Sequence, residues 1–293
     1  MTTVALLLVT GIGLGALYFL IAAGLSLIWG LMRVLNFAHG AFFTVAAYAG
    51  WALSRNLATG SPGLQWAIAV LIAVAVGGVF AALTEVVLIR PLYAHHVGQV
   101  LVTVGLALAA IALVQGGFGS DPQRLTLPAW MTGTVSVLGA NVPNTRLLVI
   151  AVAALVFALL IFFLRRTRFG LIVRAGVENR AMVQALGIDV HRAFTLVFAI
   201  GGMAAGLAGM LAGTYYGTID PGRGTAMLIY AFIVVIIGGL GSVTGSAVAA
   251  IVVGVLQQFL NFYGATGVGD FSVVLLLAVV LLVRPGGFSG AST

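Results

Sequence analysis

Side chains able to do chemistry are few in this sequence, and their spacing gives them little to do. His95 and His96 are adjacent, but no third ligand stands at a spacing that zinc would need, so they read as boundary residues beside an apolar run. Asp220 and Asp270 fall near the ends of apolar runs, where a carboxylate is expected to be solvated. Glu85 lies inside such a run, about one turn before Arg90, and its side chain is expected to extend to the polar edge. The sequence contains no Lys, so no GxxxxGK[ST] phosphate loop can exist, and it contains no Cys, so disulfides and thiolate metal sites are excluded. A GxSxG nucleophile elbow is also missing. The expectation is a protein that is not an enzyme and that holds neither cofactor nor metal.

The elements that must position these residues are set by the composition. Of 293 residues 62% are hydrophobic and only 6% are charged, against about 25% charged in a soluble domain. Val4 to Met32 and Gly224 to Gly269 carry no charge at all. A helix crosses the hydrocarbon with about 20 apolar residues, so the chain reads as an all-α, polytopic membrane protein, one domain over 1–293. Charges and turn residues delimit spans near 6–31, 38–53, 66–88, 98–117, 147–164, 193–216, 226–240, 244–262 and 268–283, which is eight or nine crossings. The run from Gly224 to Gly269 must be two of them, because a single helix of that length would measure about 69 Å at about 1.5 Å per residue. "GGLGSVTG" (Gly238 to Gly245) is the natural break.

All thirteen basic residues are Arg, giving a net charge of +7. In this composition they read as topology signals beside an anionic lipid leaflet, with no nucleic acid as partner. Placing the N-terminus outside puts Arg33, Arg90, Arg165, Arg166, Arg168, Arg174, Arg180, Arg192 and Arg284 on the cytoplasmic side and Arg55, Arg124, Arg146 and Arg223 outside. That asymmetry predicts an outside N-terminus and a cytoplasmic C-terminus. The opening stretch lacks a basic n-region and is read as the first span rather than a cleaved signal. Forty Gly are present, and Gly11/Gly15, Gly202/Gly206, Gly209/Gly213 and Gly241/Gly245 are spaced by four, the pattern of closely approaching helices.

One long polar passage interrupts the oil: "GVENRAMVQALGIDVHR", Gly176 to Arg192, following the basic cluster "RRTRFG" at Arg165 to Gly170. Asn179 can cap a short helix, with Glu178 adding negative charge near its start. Arg180 to Leu186 supplies about two turns, with Met182, Val183, Ala185 and Leu186 as an apolar face, and Gly187 suits the left-handed position beyond its end. Such a helix is either a docking surface for a partner or an element lying on lipid headgroups.

The passage from Arg174 to Gly213, "RAGVENRAMVQALGIDVHRAFTLVFAIGGMAAGLAGMLAG", resembles the coupling loop and following span of ABC importer permeases, and more narrowly those of the branched-chain amino acid family. "GLSLIWGLMRVLNFAHGAFFTVAAY" (Gly24 to Tyr48), "FGSDP" (Phe118 to Pro122), "IIGGLGSVTGSAVAA" (Ile236 to Ala250) and "VRPGGFSG" (Val283 to Gly290) extend the likeness over nearly the whole chain. The Asn-Phe-Ala-His-Gly form at Asn36 to Gly40 is similar to the H-type subunit, one of two different permeases that pair in these importers. The resemblance implies a type II importer-like permease in the bacterial inner membrane. It implies as partners two cytoplasmic ABC ATPase subunits, a second homologous permease and a periplasmic substrate-binding protein, with all ATP hydrolysis in the partners. It makes 165–192 the coupling loop, and Glu178, Asn179, Arg180, Met182, Leu186 and Gly187 the coupling site. Asn36, His39 and Gly40 either line an inner gate of the path or serve packing. A secondary carrier or channel for a small polar solute is the competing class, and urea, amide or aromatic acid import is open within the same family.

Overall fold

The computed structural model describes residues 2–57, 60–178, 182–183, 189–265, 267–284 and 286–289. Each of the expected spans falls on one helix, except that the third runs past the end of its α-helix. In chain order they are α1 (Thr2–Met32), α2 (His39–Arg55), α3 (Pro62–Thr84) and α4 (His96–Phe118). A short α5 (Ala129–Thr132) precedes α6 (Asn144–Arg166), and α7 (Arg168–Glu178) follows it. The remainder are α8 (Val190–Tyr216), α9 (Arg223–Gly238), α10 (Val243–Tyr263) and α11 (Val268–Val283). Among the described residues six helices are long and apolar enough to cross a membrane, if α3 is counted with its continuation to Leu92, while α9 and α11 are apolar but shorter.

Local chemistry explains the ends. Ser61 caps α3, its hydroxyl accepting from Leu64 N at 3.3 Å with Pro62 in the first turn. Asp189 caps α8, accepting from His191 N at 3.0 Å. The sixth span therefore begins three residues before its expected start at 193. Gly217 ends α8 in the left-handed region at φ 76°. Small strands tie the loops at the end opposite the Arg-rich one: β1 (Gln123–Arg124) pairs with β4 (Thr218–Ile219), and β2 (Thr134–Val137) with β3 (Ala140–Pro143) through a Leu138-Gly139 turn.

Three features differ from the sequence reading. α7 occupies part of what read as a polar loop; it buries Val173 and exposes Phe169 and Leu171. After Thr84 the chain does not stay α-helical: Glu85–Ile89 is a π-helical segment and Arg90–Leu92 a 3₁₀ turn. The break between α9 and α10 is closed by a remote strand of chain, with Phe288 N donating to Ile237 O at 2.8 Å and Ser289 N to Gly238 O at 3.2 Å.

The core is α1, α2, α8 and α9, where Leu20, Ile21, Ile28, Phe42, Phe194 and Phe198 are fully enclosed. α4 and α6 are the outer walls, showing Leu108, Leu113, Leu155 and Phe162 to the surroundings. An apolar exterior over a packed interior is what lipid as solvent demands.

The seams of this bundle are glycine seams. Gly11 and Gly15 face α10, where an added methyl would stand 2.8 Å from Val255 Cα and 2.5 Å from Ala250 O. Gly202 and Gly206 face α3, and a methyl on either would overlap a backbone carbonyl, that of Gly77 or Ala73. The other two pairs do not form single seams. Gly209 meets Phe43 O of α2 while Gly213 meets the Ile219 side chain, and Gly241 sits in the turn at φ 87° while Gly245 meets Gly238.

Gly202→Ala is therefore expected to lower the melting temperature of the detergent-solubilised protein, with overpacking costing about 1–3 kcal/mol. Gly105→Ala, where nothing lies within 4 Å of the new methyl, should be neutral or slightly stabilising. Equal losses in a thermal-shift comparison would show that close approach is not what the α3–α8 glycines provide.

Candidate functional site

The π segment organises the polar cluster nearest the Arg-rich end. Five residues separate Glu85 from Arg90, a spacing that in an α-helix turns the two side chains away from each other, since only three and four are neighbourly. The i to i+5 closure of a π turn brings them together. Arg90 Nη2 lies 3.0 Å from Glu85 Oε2, and Thr195 Oγ1 donates to the same oxygen at 2.6 Å. Arg90 Nη2 also donates to Thr195 Oγ1 at 2.8 Å, and the Tyr93 hydroxyl donates to Glu85 Oε1. Glu85 has no exposed surface. It does not reach the polar edge as expected; its cation and hydroxyls come to it instead. Thr195 lies in the first turns of α8, so the cluster clamps the end of α3 to the segment that follows the polar passage. The His191 ring stacks on Tyr93 at 5.6 Å.

Of the residues expected to couple to a partner, Asn179, Arg180, Leu186 and Gly187 lie outside the described residues. Glu178 is the last residue of α7. Met182 is 60% exposed while Val183 is buried at 3%, so these two do not share one face as expected: Val183 joins the core and Met182 stands outward.

Asn36, His39 and Gly40 are brought together, but into the interior. Asn36 and His39 have no exposed surface, Asn36 Oδ1 accepts from Ala38 N at 3.1 Å, and His39 Nε2 lies 3.1 Å from Ile21 O. A methyl on Gly40 would stand 2.6 Å from Gly224 O, so this residue permits the crossing of α2 with the start of α9. His39 Nδ1 and Asn36 Nδ2 have no hydrogen-bond partner among the described residues. His95 and His96 gather no third ligand, and no group of three His, Cys, Asp or Glu occurs among the described residues.

A second polar cluster, invisible in the sequence, lies toward the other end. The Tyr18 hydroxyl donates to Gln257 Oε1 at 2.6 Å, and Gln257 Nε2 donates to Asp270 Oδ1 at 2.5 Å. The Tyr230 hydroxyl donates to the same Oδ1 at 2.8 Å, and its ring stacks on Tyr18 at 4.8 Å. The α10–α11 hairpin, pinned by Gly269 N on Asn261 Oδ1 at 3.0 Å, lays Asp270 beside Gln257. Nearby, Arg146 lies over the Tyr215 ring at 3.2 Å and Arg223 over that of Tyr216 at 4.4 Å. Spacing could not reveal this set, because its members come from four helices.

The chain matches the family described as branched-chain amino acid transport system, permease component, over residues 7–284. It is 28% identical to the high-affinity branched-chain amino acid transport system permease protein LivH of Salmonella typhimurium, over 96% of this chain and 93% of that protein. It is 31% identical to the corresponding permease protein BraD of Pseudomonas aeruginosa, over 97% and 94%. Among solved structures, PsaBC from Streptococcus pneumoniae in complex with Fab aligns over 94% of this chain and 89% of its own, at 14% identity and a TM-score of 0.48.

Glu85 and His39, both without exposed surface, each yield a prediction. Glu85→Ala takes the buried acceptor from Arg90, Thr195 and Tyr93 and is expected to cost about 1–3 kcal/mol, because the partly exposed Arg90 can turn to solvent, read as a lower melting temperature, with Glu85→Gln milder because Thr195 and Tyr93 keep an oxygen partner. His39→Ala is expected to lower thermal stability by about 2–5 kcal/mol as a buried truncation, with the KM for uptake unchanged; a raised KM at unchanged stability would instead assign His39 to the path.

Proposed function

This chain belongs to the branched-chain amino acid transport system permease component family, and on that premise we propose that it forms part of the translocation path of an ATP-driven importer for branched-chain or other hydrophobic amino acids. The family match over residues 7–284 carries the reading. The fold agrees with it: a multi-pass helical bundle in which α8, the helix that follows the polar passage, is clamped to the end of α3 through Glu85, Arg90 and Thr195.

In this reading the Arg-rich end is cytoplasmic, in the bacterial plasma membrane, and the N-terminus is outside. Two ABC ATPase subunits receive the passages of the two permeases, this chain's lying at 165–192 and docking through Glu178, Asn179, Arg180, Met182, Leu186 and Gly187. The exposure of Met182 supports an apolar contact there. A second, homologous permease completes the pore, and a periplasmic binding protein delivers the substrate. Closure of the ATPases moves the passage, and the Glu85 clamp transmits that motion jointly to α3 and α8. Glu85 is fully engaged by Arg90, Thr195 and Tyr93, which argues against its serving as the proton relay of a secondary carrier.

Leu186→Asp is expected to reduce uptake of radiolabelled leucine to background in cells expressing the complete importer, while the chain remains in the membrane at its normal level. Uptake at the unaltered rate would remove the docking role from this passage. Purification from native membranes in mild detergent should bring down ATPases and a second permease; recovery of the chain alone, after cross-linking, would favour an autonomous carrier.

A further inference from the structure

Asp270 has no cationic partner within ion-pair distance among the described residues, yet it is exposed on an apolar surface. Its carboxylate borders an open groove of about 310 Å³ between α9 and α11, walled by Ala226, Ile229, Tyr230, Ile233, Phe271 and Val274. Small-molecule sites begin at about this size. Ile229, Phe271 and Val274 are each more than half exposed, so the apolar walls are open to whatever fills the groove.

The two hydrogen bonds that Asp270 accepts come from neutral donors and both fall on Oδ1, leaving Oδ2 in neither and the charge uncompensated. Behind it the stacked Tyr18 and Tyr230 rings and the 5%-exposed Gln257 hold the carboxylate in place. Arg223 stands one turn before Ala226 on the same side of α9. It bonds Thr218 and lies over Tyr216, with no carboxylate partner among the described residues. Arg223 is not among the residues that wall the groove.

A groove with one uncompensated anion and an aliphatic and aromatic wall matches a specific ligand chemistry. Resting on the amino-acid reading above, we propose that this groove binds a free aliphatic amino acid during passage, its ammonium on Asp270 and its side chain against Ile229, Ile233 and Val274. A sugar or urea has neither the cation nor the apolar part that these walls would repay.

The absence of native Cys in the chain permits a direct test. Ala226→Cys places a single thiol in the groove of the otherwise complete importer, in native membranes. A membrane-impermeant maleimide added from outside should label it, and millimolar L-leucine should slow labelling several-fold. The keto acid 4-methyl-2-oxopentanoate, the same skeleton without the ammonium, should not. Adding Asp270→Asn should leave labelling intact and abolish protection by leucine, since Asn keeps the oxygen that accepts from Tyr230 and Gln257 and removes only the charge. Equal protection by the keto acid, protection that survives Asp270→Asn, or labelling by a permeant maleimide alone would overturn the site. Uptake by the unaltered complex separates two failures. Leucine imported without protection removes the groove alone, and no leucine import removes the amino-acid reading together with the site that rests on it.

Discussion

Helices surrounded by lipid gain nothing from hiding apolar side chains from one another, and everything else in this molecule follows from that constraint. Contact has to come from close packing, so the backbones must touch. α8 is the element where this is most complete. It meets α3 through Gly202 and Gly206, α2 through Gly209, and α1 through Gly201 against Gly24. A helix touching three others at backbone distance has little freedom to slide against any one of them. Movement entering at its first turn is therefore shared among its neighbours.

The same constraint makes each buried polar group expensive, and the two acid clusters answer it differently. Glu85 is neutralised inside the protein by a guanidinium and two hydroxyls, at the cost of a local departure from α-helical geometry. Asp270 is only tethered, by Tyr230 and Gln257, and its charge is left for something else to meet. The first arrangement favours a fixed joint between helices; the second favours an exchangeable partner. One chain thus carries a mechanical acid near the Arg-rich end and a receptive one toward the other.

Much of the fold was legible because lipid imposes a crude rule on sequence. Charge-free runs marked the spans, and the glycines at 238–245 marked the break between α9 and α10. The seams at Gly11/Gly15 and Gly202/Gly206 were legible from spacing alone, whereas Gly209/Gly213 and Gly241/Gly245 show the same spacing without a shared seam. The site was less legible. Glu85 and Arg90 are misread under α-helical periodicity, since only the π segment brings a five-residue spacing into contact. Asp270 was placed at a boundary because its partners, Tyr230 and Gln257, and Tyr18 behind them, lie on other helices and meet only through packing. α7 was hidden because its short apolar run, Leu171 to Val173, stands between Arg168 and Arg174 directly after the basic end of α6 and reads as part of the polar loop.

The bonds from Phe288 and Ser289 to the carbonyls of Ile237 and Gly238 carry a consequence for biogenesis. Those carbonyls end α9, where no further turn of helix exists to satisfy them. The amides that do so are translated some fifty residues later, after α10 and α11 have been made. Insertion of α9 and α10 therefore precedes completion of the corner between them, which waits as an open bracket until the tail arrives to close it. Residues 288 and 289 act as a latch on the assembled bundle, so a chain interrupted just after α11 would carry all the described helices and one unlocked corner. Such a product would be a natural substrate for membrane quality control.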